Sequence, residues 1–261
     1  MLQFPNFNPY IFKLGPIHPT WYGLMYVIGF GCAYLLGVRR TKSNPAWTKE
    51  DVSDLMTYLM LGVVLGGRIG YVLFYGMGYW ARDWLYPLKI WEGGMSFHGG
   101  LLGVIFLLWL FGRKKGKAFW AVADYVAPMI PPGLFFGRIG NFINGELWGR
   151  PTDLPWGMVF PGTGDGIPRH PSQLYEAGLE GIVLFIAVWF YSAKPRHSGQ
   201  VAGLFLVLYG IFRSLVEMVR QPDGQVNFLI GEITMGQALS LPMIVFGLWL
   251  MLRRGPRASV S

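Results

Sequence analysis

Arginine, asparagine and glutamate side chains are crowded between Gly137 and Gly149, in the stretch GRIGNFINGELWG, directly after the apolar run VADYVAPMIPPGLFF. Arg138, Asn141, Asn144 and Glu146 alternate with glycines, a composition too polar for a wall that faces lipid. A guanidinium presents a fork of N–H donors that matches phosphate or carboxylate oxygens, and amide side chains can hold such a fork in place. The chemistry that suits this set is the gripping of an anion, as a ligand or as a leaving group.

Three further clusters carry groups of the same kind. Arg213, Glu217 and Arg220, in LYGIFRSLVEMVRQPDG, are spaced by four and three and share one helical face. An arginine near a bilayer centre costs about 2.5–3.5 kcal/mol on the insertion scale, so such a residue faces a polar interior or a ligand. Two readings of Arg213 and Glu217 stand: an ion pair that locks a helix bundle, or part of a site shared with Arg138. A histidine side chain suits proton transfer, which makes His98, in WEGGMSFHGG, a candidate, although a histidine at a helix end also serves as an ordinary polar terminus. Arg169, His170 and Gln173, in PRHPSQLYE, open a helix whose N-terminus favours anions, with Ser172 as the candidate N-cap. Tyr22 and Tyr26, four apart in HPTWYGLMY, share a face and fit either an aromatic belt or a hydroxyl pair aimed at a substrate. Arg68, in VLGGRIGYVLFY, lies in mid-span and either braces the bundle or lines the site.

Other chemistries lack their residues. There is no HExxH for a zinc protease, no GxxxxGK[ST] phosphate cradle, no aspartate cluster for magnesium and no GxSxG elbow. Neither a metal nor a cofactor is expected. Cys32 is the one cysteine and sits in an apolar run, where it reads as packing.

These groups need elements to hold them, and the composition says which. Of 261 residues, 52% are hydrophobic and only 14% charged, well under the roughly 25% typical of soluble domains. The net charge of +8 then points to anionic phospholipid, not to nucleic acid, for which no binding module is present. Apolar windows long enough to cross a hydrocarbon core about 30 Å thick fall at Trp21 to Val38, Asp54 to Tyr75, Ser96 to Phe111, Trp120 to Phe136, Leu174 to Ala193, Val201 to Val219 and Thr234 to Leu252. The fourth contains Pro128, Pro131, Pro132 and Gly133, which should kink or break it near its end. The expected fold is therefore all-α: a polytopic membrane protein of seven transmembrane helices, forming one domain over residues 1–261. No cleaved signal peptide is expected from the N-terminus.

Basic residues set the orientation. Arg39, Arg40, Lys42 and Lys49 follow the first span; Arg113, Lys114, Lys115 and Lys117 the third; Lys194 and Arg196 the fifth; Arg253, Arg254 and Arg257 the seventh. Seven crossings put all four clusters on one side, which the positive-inside rule makes the cytoplasm. The N-terminus, residues 76–95, 137–173 and 221–233 are then expected outside, with the C-terminus in the cytoplasm.

GRIGNFINGELWG resembles the pattern G-R-x-G-N-F-aliphatic-N-x-E-x-x-G of the prolipoprotein diacylglyceryl transferases at every specified position. HPTWYGLMY, LGGRIGYVLFY, GGMSFHGG, RHPSQLYE, YGIFRSLVEMVRQPD and MGQALSLPM are similar to segments of that family in its order. The resemblance implies a seven-helix enzyme of the bacterial cytoplasmic membrane, active on its outer face. Such an enzyme moves the diacylglyceryl group of phosphatidylglycerol onto the lipobox cysteine of a preprolipoprotein, making a thioether and releasing glycerol phosphate. It implies that Arg138 binds the lipid phosphate, that Asn141, Asn144, Glu146 and Gly149 complete the substrate site with His170 nearby, and that Tyr22, His98, Arg213 and Glu217 are catalytic or near-essential. In that chemistry Arg138 and Arg213 stabilise charge on the departing phosphate, His98 is the candidate base for the thiol and Tyr22 orients lipid or thiol. Asn141 and Asn144 are expected to orient Arg138, and Glu146 to pair with an arginine or to position the headgroup. The competing reading is a non-enzymatic lipid or anion transporter, since intramembrane arginines and broken helices also mark transport pathways.

Overall fold

The computed structural model describes residues 2–5, 7–15, 18–221 and 234–253. Arg254, Arg257 and the expected outer loop beyond Gln221 lie outside the described residues. The chain is mostly helical, and its contacts divide it into two compact units. One comprises the described residues up to Gly37 together with those from Asp124 onward; the other comprises 38–123.

Six helices among the described residues are long and apolar enough to cross a membrane. They are α1 (Trp21–Thr41), α2 (Lys49–Phe74), α4 (Phe97–Lys114), the composite helix Ser172–Tyr191, α9 (Gln200–Glu217) and α10 (Met235–Leu252). A short helix, α3 (Met77–Trp80), follows α2. α2 begins five residues before the expected Asp54 because Thr48 and Asp51 form a capping box, each side chain accepting from the other's backbone N–H at 3.0 and 3.2 Å. The reciprocal bonds let polar residues extend an apolar span.

The fourth expected span is built in pieces: α5 (Phe119–Val126), a 3₁₀ turn at Ala127–Met129 and α6 (Ile130–Ile143). The break falls at Pro128, earlier than the sequence led us to expect. Pro131 and Pro132 do not break the chain, because they occupy the first turn of α6, where no intrahelical N–H is needed. α6 consequently runs on through Arg138 and Asn141, so the first half of GRIGNFINGELWG is helix instead of loop.

The composite helix is α7 (Ser172–Glu176), a wide π-type turn at Ala177–Val183 and α8 (Leu184–Tyr191). Ser172 does not cap it. Its hydroxyl donates to the Leu147 carbonyl at 2.9 Å, and Pro171 stands at the cap position. The all-α expectation also omits a small sheet, in which β1 (Leu2–Gln3) runs parallel to β2 (Met158–Val159) and β2 antiparallel to β3 (Pro168–Arg169). Phe4 follows β1 and packs on Phe142 and Phe160, with ring centroids 5.4 and 5.2 Å apart, which fastens the N-terminal segment over the end of α6.

Glycines set how closely the helices approach. In the 38–123 unit, α2 and α4 meet along Gly62, Gly66 and Gly70 on one side and Gly99 and Gly103 on the other. A Cβ on Gly99 would lie 2.4 Å from the Gly66 carbonyl oxygen, so the two backbones touch. In the other unit Gly203 and Gly247 bring α9 and α10 together in the same way.

Arg68, 3% exposed, settles a question the sequence left open. Its guanidinium donates to the carbonyls of Tyr86 at 2.6 Å, Lys89 at 2.9 Å, Pro87 at 3.2 Å and Gly94 at 3.3 Å, and to that of Gly93. It also stacks 4.7 Å from the Tyr86 ring. Gly93 and Gly94 have φ of 79° and 80°, and this left-handed turn aims both their carbonyls at the guanidinium. Arg68 thus organises residues 86–94. Arg68→Ala strands those carbonyls and is expected to destabilise the protein by about 3 kcal/mol, read as a lower melting temperature and faster tryptic cleavage at Arg82 and Lys89. Arg68→Lys restores less than half of the loss, because one ammonium cannot reach all the acceptors.

A buried arginine and glutamate cluster as the candidate active site

The site is assembled in the unit that contains α1 and the chain from Asp124. α6 carries Arg138 and Asn141 three residues apart on one face, with Arg138 Nη1 3.5 Å from Asn141 Oδ1. Gly140 between them lets the Tyr22 ring lie against the α6 backbone, where a Cβ would come within 2.8 Å of the ring. The Tyr22 and Tyr26 hydroxyls are 3.1 Å apart, and Asn141 is within hydrogen-bonding reach of the former.

Beyond Ile143 the chain turns sharply. Gly145 has φ of 64° and Leu147 φ of 58°, the latter the one non-glycine in the left-handed region among the described residues. The turn is held from α7: Ser172 donates to Leu147 O and Gln173 donates to Glu146 O, both from fully buried side chains. This leaves the Glu146 carboxylate accepting from Asn141 Nδ2 at 2.9 Å and Asn144 Nδ2 at 3.3 Å. Glu146 is therefore held by the two amides and not by an arginine, the first of the two roles expected for it.

The arginines are gathered by glutamates. Arg138 pairs through Nε with Glu176, and its Nη2 lies 3.8 Å from Glu180. Arg213 places Nη1 2.9 Å from the other oxygen of Glu176 and Nη2 2.8 Å from Glu217. Arg220 approaches Glu176 at 3.9 Å. Glu176, Glu180 and Glu217 are 1%, 0% and 5% exposed. The expected Arg213–Glu217 pair is thus present as one edge of a larger network, and Arg138 and Arg213 meet on a single carboxylate. Three guanidiniums against three carboxylates make a nearly neutral cluster, the condition under which charge survives away from water. A guanidinium has five N–H donors, so each can hold a carboxylate and still donate to a phosphate oxygen.

Glu176 and Glu180 are functional candidates that the sequence reading passed over. Their signal was there: two carboxylates four apart inside an apolar span, the same kind of anomaly that marked Arg213 and Glu217.

Of the remaining predicted residues, His170 and Gly149 belong to the same unit as this cluster. His170 Nδ1 is 3.2 Å from the Tyr175 hydroxyl, which also accepts from Trp156 Nε1 at 2.8 Å. Burial lowers the His170 pKa from the ordinary histidine value, which favours the neutral ring. Gly149 is pinned between backbones: its N–H donates to His170 O at 2.8 Å, and a Cβ there would lie 2.5 Å from Val219 O and 2.7 Å from His170 Cβ. Its place in the pattern has a packing cause. Gly236, at the start of α10, similarly leaves room for the Glu217 carboxylate, 2.6 Å from where its Cβ would stand. His98 belongs to the 38–123 unit. It is exposed in the first turn of α4, capped by Ser96, with its ring 5.6 Å from that of Phe97. Among the described residues, no group of three or more His, Cys, Asp or Glu side chains is arranged to hold a metal ion.

Gly149→Ala must push either the Val219 carbonyl or the His170 backbone aside. It is expected to destabilise the protein by about 1–3 kcal/mol, measured as a fall in the thermal midpoint in detergent.

The sequence matches known relatives over almost its whole length. The profile of the prolipoprotein diacylglyceryl transferase family matches residues 9–253. Proteins named phosphatidylglycerol–prolipoprotein diacylglyceryl transferase are 58% identical in Solidesulfovibrio magneticus, with 100% of both chains covered, and 57% identical in Bordetella avium, with 99% of both covered. Another, from Legionella pneumophila, is 57% identical over 96% of this chain and 98% of its own. With a match that spans nearly every described helix and includes the whole arginine and glutamate cluster, this chain belongs to the prolipoprotein diacylglyceryl transferase family.

Proposed function

We propose that this protein transfers the diacylglyceryl group of phosphatidylglycerol to the lipobox cysteine thiol of a preprolipoprotein, yielding a thioether and glycerol phosphate. The observation that carries the reading is the meeting of Arg138 and Arg213, from separate helices, on one buried carboxylate beside Asn141, Asn144 and Glu146. Family membership favours this transfer over the transporter reading.

The thiol sulfur attacks the glycerol carbon that bears the phosphate, and the carbon–oxygen bond breaks with its electrons going to the phosphate oxygen. Arg138 and Arg213 stabilise the charge that gathers there, by charge-assisted hydrogen bonds in a site from which water is largely excluded. Asn141 orients Arg138, and Glu146 with Asn144 shapes the headgroup side. Tyr22 directs its hydroxyl to lipid or thiol, Glu217 holds Arg213, and His170 completes the substrate surface, its backbone seated against Gly149. His98 is the base that takes the thiol proton, since a free thiol near pKa 8.5 is only a few per cent ionised at neutral pH.

The working unit is the whole chain as one domain, set in the bacterial cytoplasmic membrane. The broken run of α5 and α6, roughly 35 Å long at about 1.5 Å per residue, supplies a seventh crossing beside the six apolar helices. With that crossing, Arg39 and Arg40, Arg113 to Lys117, Lys194 with Arg196, and Arg253 all fall on the cytoplasmic side, and the cluster opens to the outer face.

In a purified assay with phosphatidylglycerol and a lipobox peptide, mass spectrometry should find peptide plus diacylglyceryl. Arg138→Ala is expected to cut the rate by about 100-fold or more. No adduct from folded wild-type protein would sink the proposal. His98→Asn is expected to slow turnover by about 100-fold and to flatten the rate between about pH 6 and 8; full turnover with a flat profile removes His98 from the base role.

A further inference from the structure

We propose that Glu176 is a positioning residue of the transfer reaction: it holds Arg138 and Arg213 side by side before the lipid arrives, so that both can grip one phosphate. The inference rests on the transferase reading and extends it to a residue outside the family pattern in GRIGNFINGELWG.

Glu176 touches arginines from both α6 and α9. One carboxylate oxygen takes Arg138 Nε, and the other lies 2.9 Å from Arg213 Nη1 and 3.9 Å from Arg220 Nε. Glu217 contacts Arg213 from within its own helix, four residues on, and Glu180 reaches Arg138 only at 3.8 Å. The side chain is 1% exposed, so it has no solvated alternative conformation.

Two guanidiniums repel each other strongly in a water-poor setting, and a phosphate site of two arginines must nevertheless exist before phosphate is there. A shared carboxylate solves this. It offsets the repulsion and fixes the rotation of each planar fork, while each fork keeps N–H donors beyond those it spends on glutamate. An ion pair meant only to glue helices together needs one arginine.

The backbone supports the same placement. Directly after Glu176 the helix widens over Ala177–Val183, a geometry that recurs at functional sites. Within it Gly181 admits Phe135 of α6, whose Cβ would lie 2.6 Å from a Cβ at that glycine. Arg138 is three residues beyond Phe135 on the same helix. The wide turn and the missing side chain thus bring α6 close enough for Arg138 to reach Glu176.

The test is steady-state kinetics of the full-length protein in detergent, varying phosphatidylglycerol and lipobox peptide separately, with glycerol phosphate as product inhibitor and calorimetric ligand. Glu176→Gln should raise KM for phosphatidylglycerol, and weaken glycerol phosphate binding, by about tenfold each, with KM for the peptide held within about twofold. Glu176→Asp, which keeps the charge on a shorter stem, should recover part of the loss. Should Glu176→Gln fail to accumulate folded, Glu176→Asp carries the same comparison with a severalfold rise for the lipid alone. Equal changes for lipid and peptide alongside a lower melting temperature would reduce Glu176 to a structural role and overturn the proposal. Tighter glycerol phosphate binding in Glu176→Gln would overturn it too, by making the carboxylate a competitor of phosphate. The calorimetric arm is independent of turnover, so wild-type protein that binds glycerol phosphate but makes no thioether would defeat the transferase reading while still deciding this one.

Discussion

Charge buried in a lipid-embedded bundle has to be neutralised where it stands, and in this protein the neutralising contact is a carboxylate shared between guanidiniums from different helices. Glu176 joins α7 to α6 through Arg138 and to α9 through Arg213, and Glu217 continues the chain of charge beneath Gly236 at the start of α10. Any helix shift that opened one of these pairs would leave an uncompensated ion among apolar side chains, which is strongly unfavourable. The same contacts therefore hold α6, α7 and α9 together and set the spacing of their guanidiniums.

That arrangement depends on backbones that approach unusually closely. Gly140 admits the Tyr22 ring, Gly181 admits Phe135 and Gly149 lies between two other backbone segments. In lipid there is little hydrophobic drive to press helices together, so dispersion across small residues and interhelical polar bonds supply the contact. The 38–123 unit follows the same rule by another route, with a glycine seam between α2 and α4 and a single arginine binding a cluster of carbonyls. Arg68 and Arg138 show what an intramembrane arginine can be asked to do. One is spent on backbone oxygens, whereas the other is paired with carboxylates.

Much of this was legible from residues alone because membrane chemistry penalises accidents. An arginine, asparagine or glutamate in an apolar run carries a cost, so its presence marks a reason, and in the structure such groups find one another, Arg138 beside Asn141 and Arg213 beside Glu217. The spans were readable because apolar length is set by bilayer thickness. The boundaries were less so. The extension of α2 to Lys49 comes from a local hydrogen-bond exchange at Thr48, and the passage of α6 through Pro131 and Pro132 comes from the tolerance of a first helical turn for proline. Both are short-range effects that hydrophobic windows average away.

By itself the sequence determined the class of solvent, the approximate apolar spans and the set of polar groups that had to be satisfied inside them, because each of these is a sum over local composition. The partners of those groups were decided only by tertiary structure. Nothing local distinguishes Glu176 from Glu146 as the acceptor for Arg138; the choice follows from the wide turn after Glu176, the gap at Gly181 and the α7 bonds that hold Glu146 toward its asparagines. Nor does sequence spacing tell Arg68, bound to carbonyls, from Arg213, bound to carboxylates. An ion pair is a statement about distance, and distances between residues far apart in the chain exist only once the helices have packed.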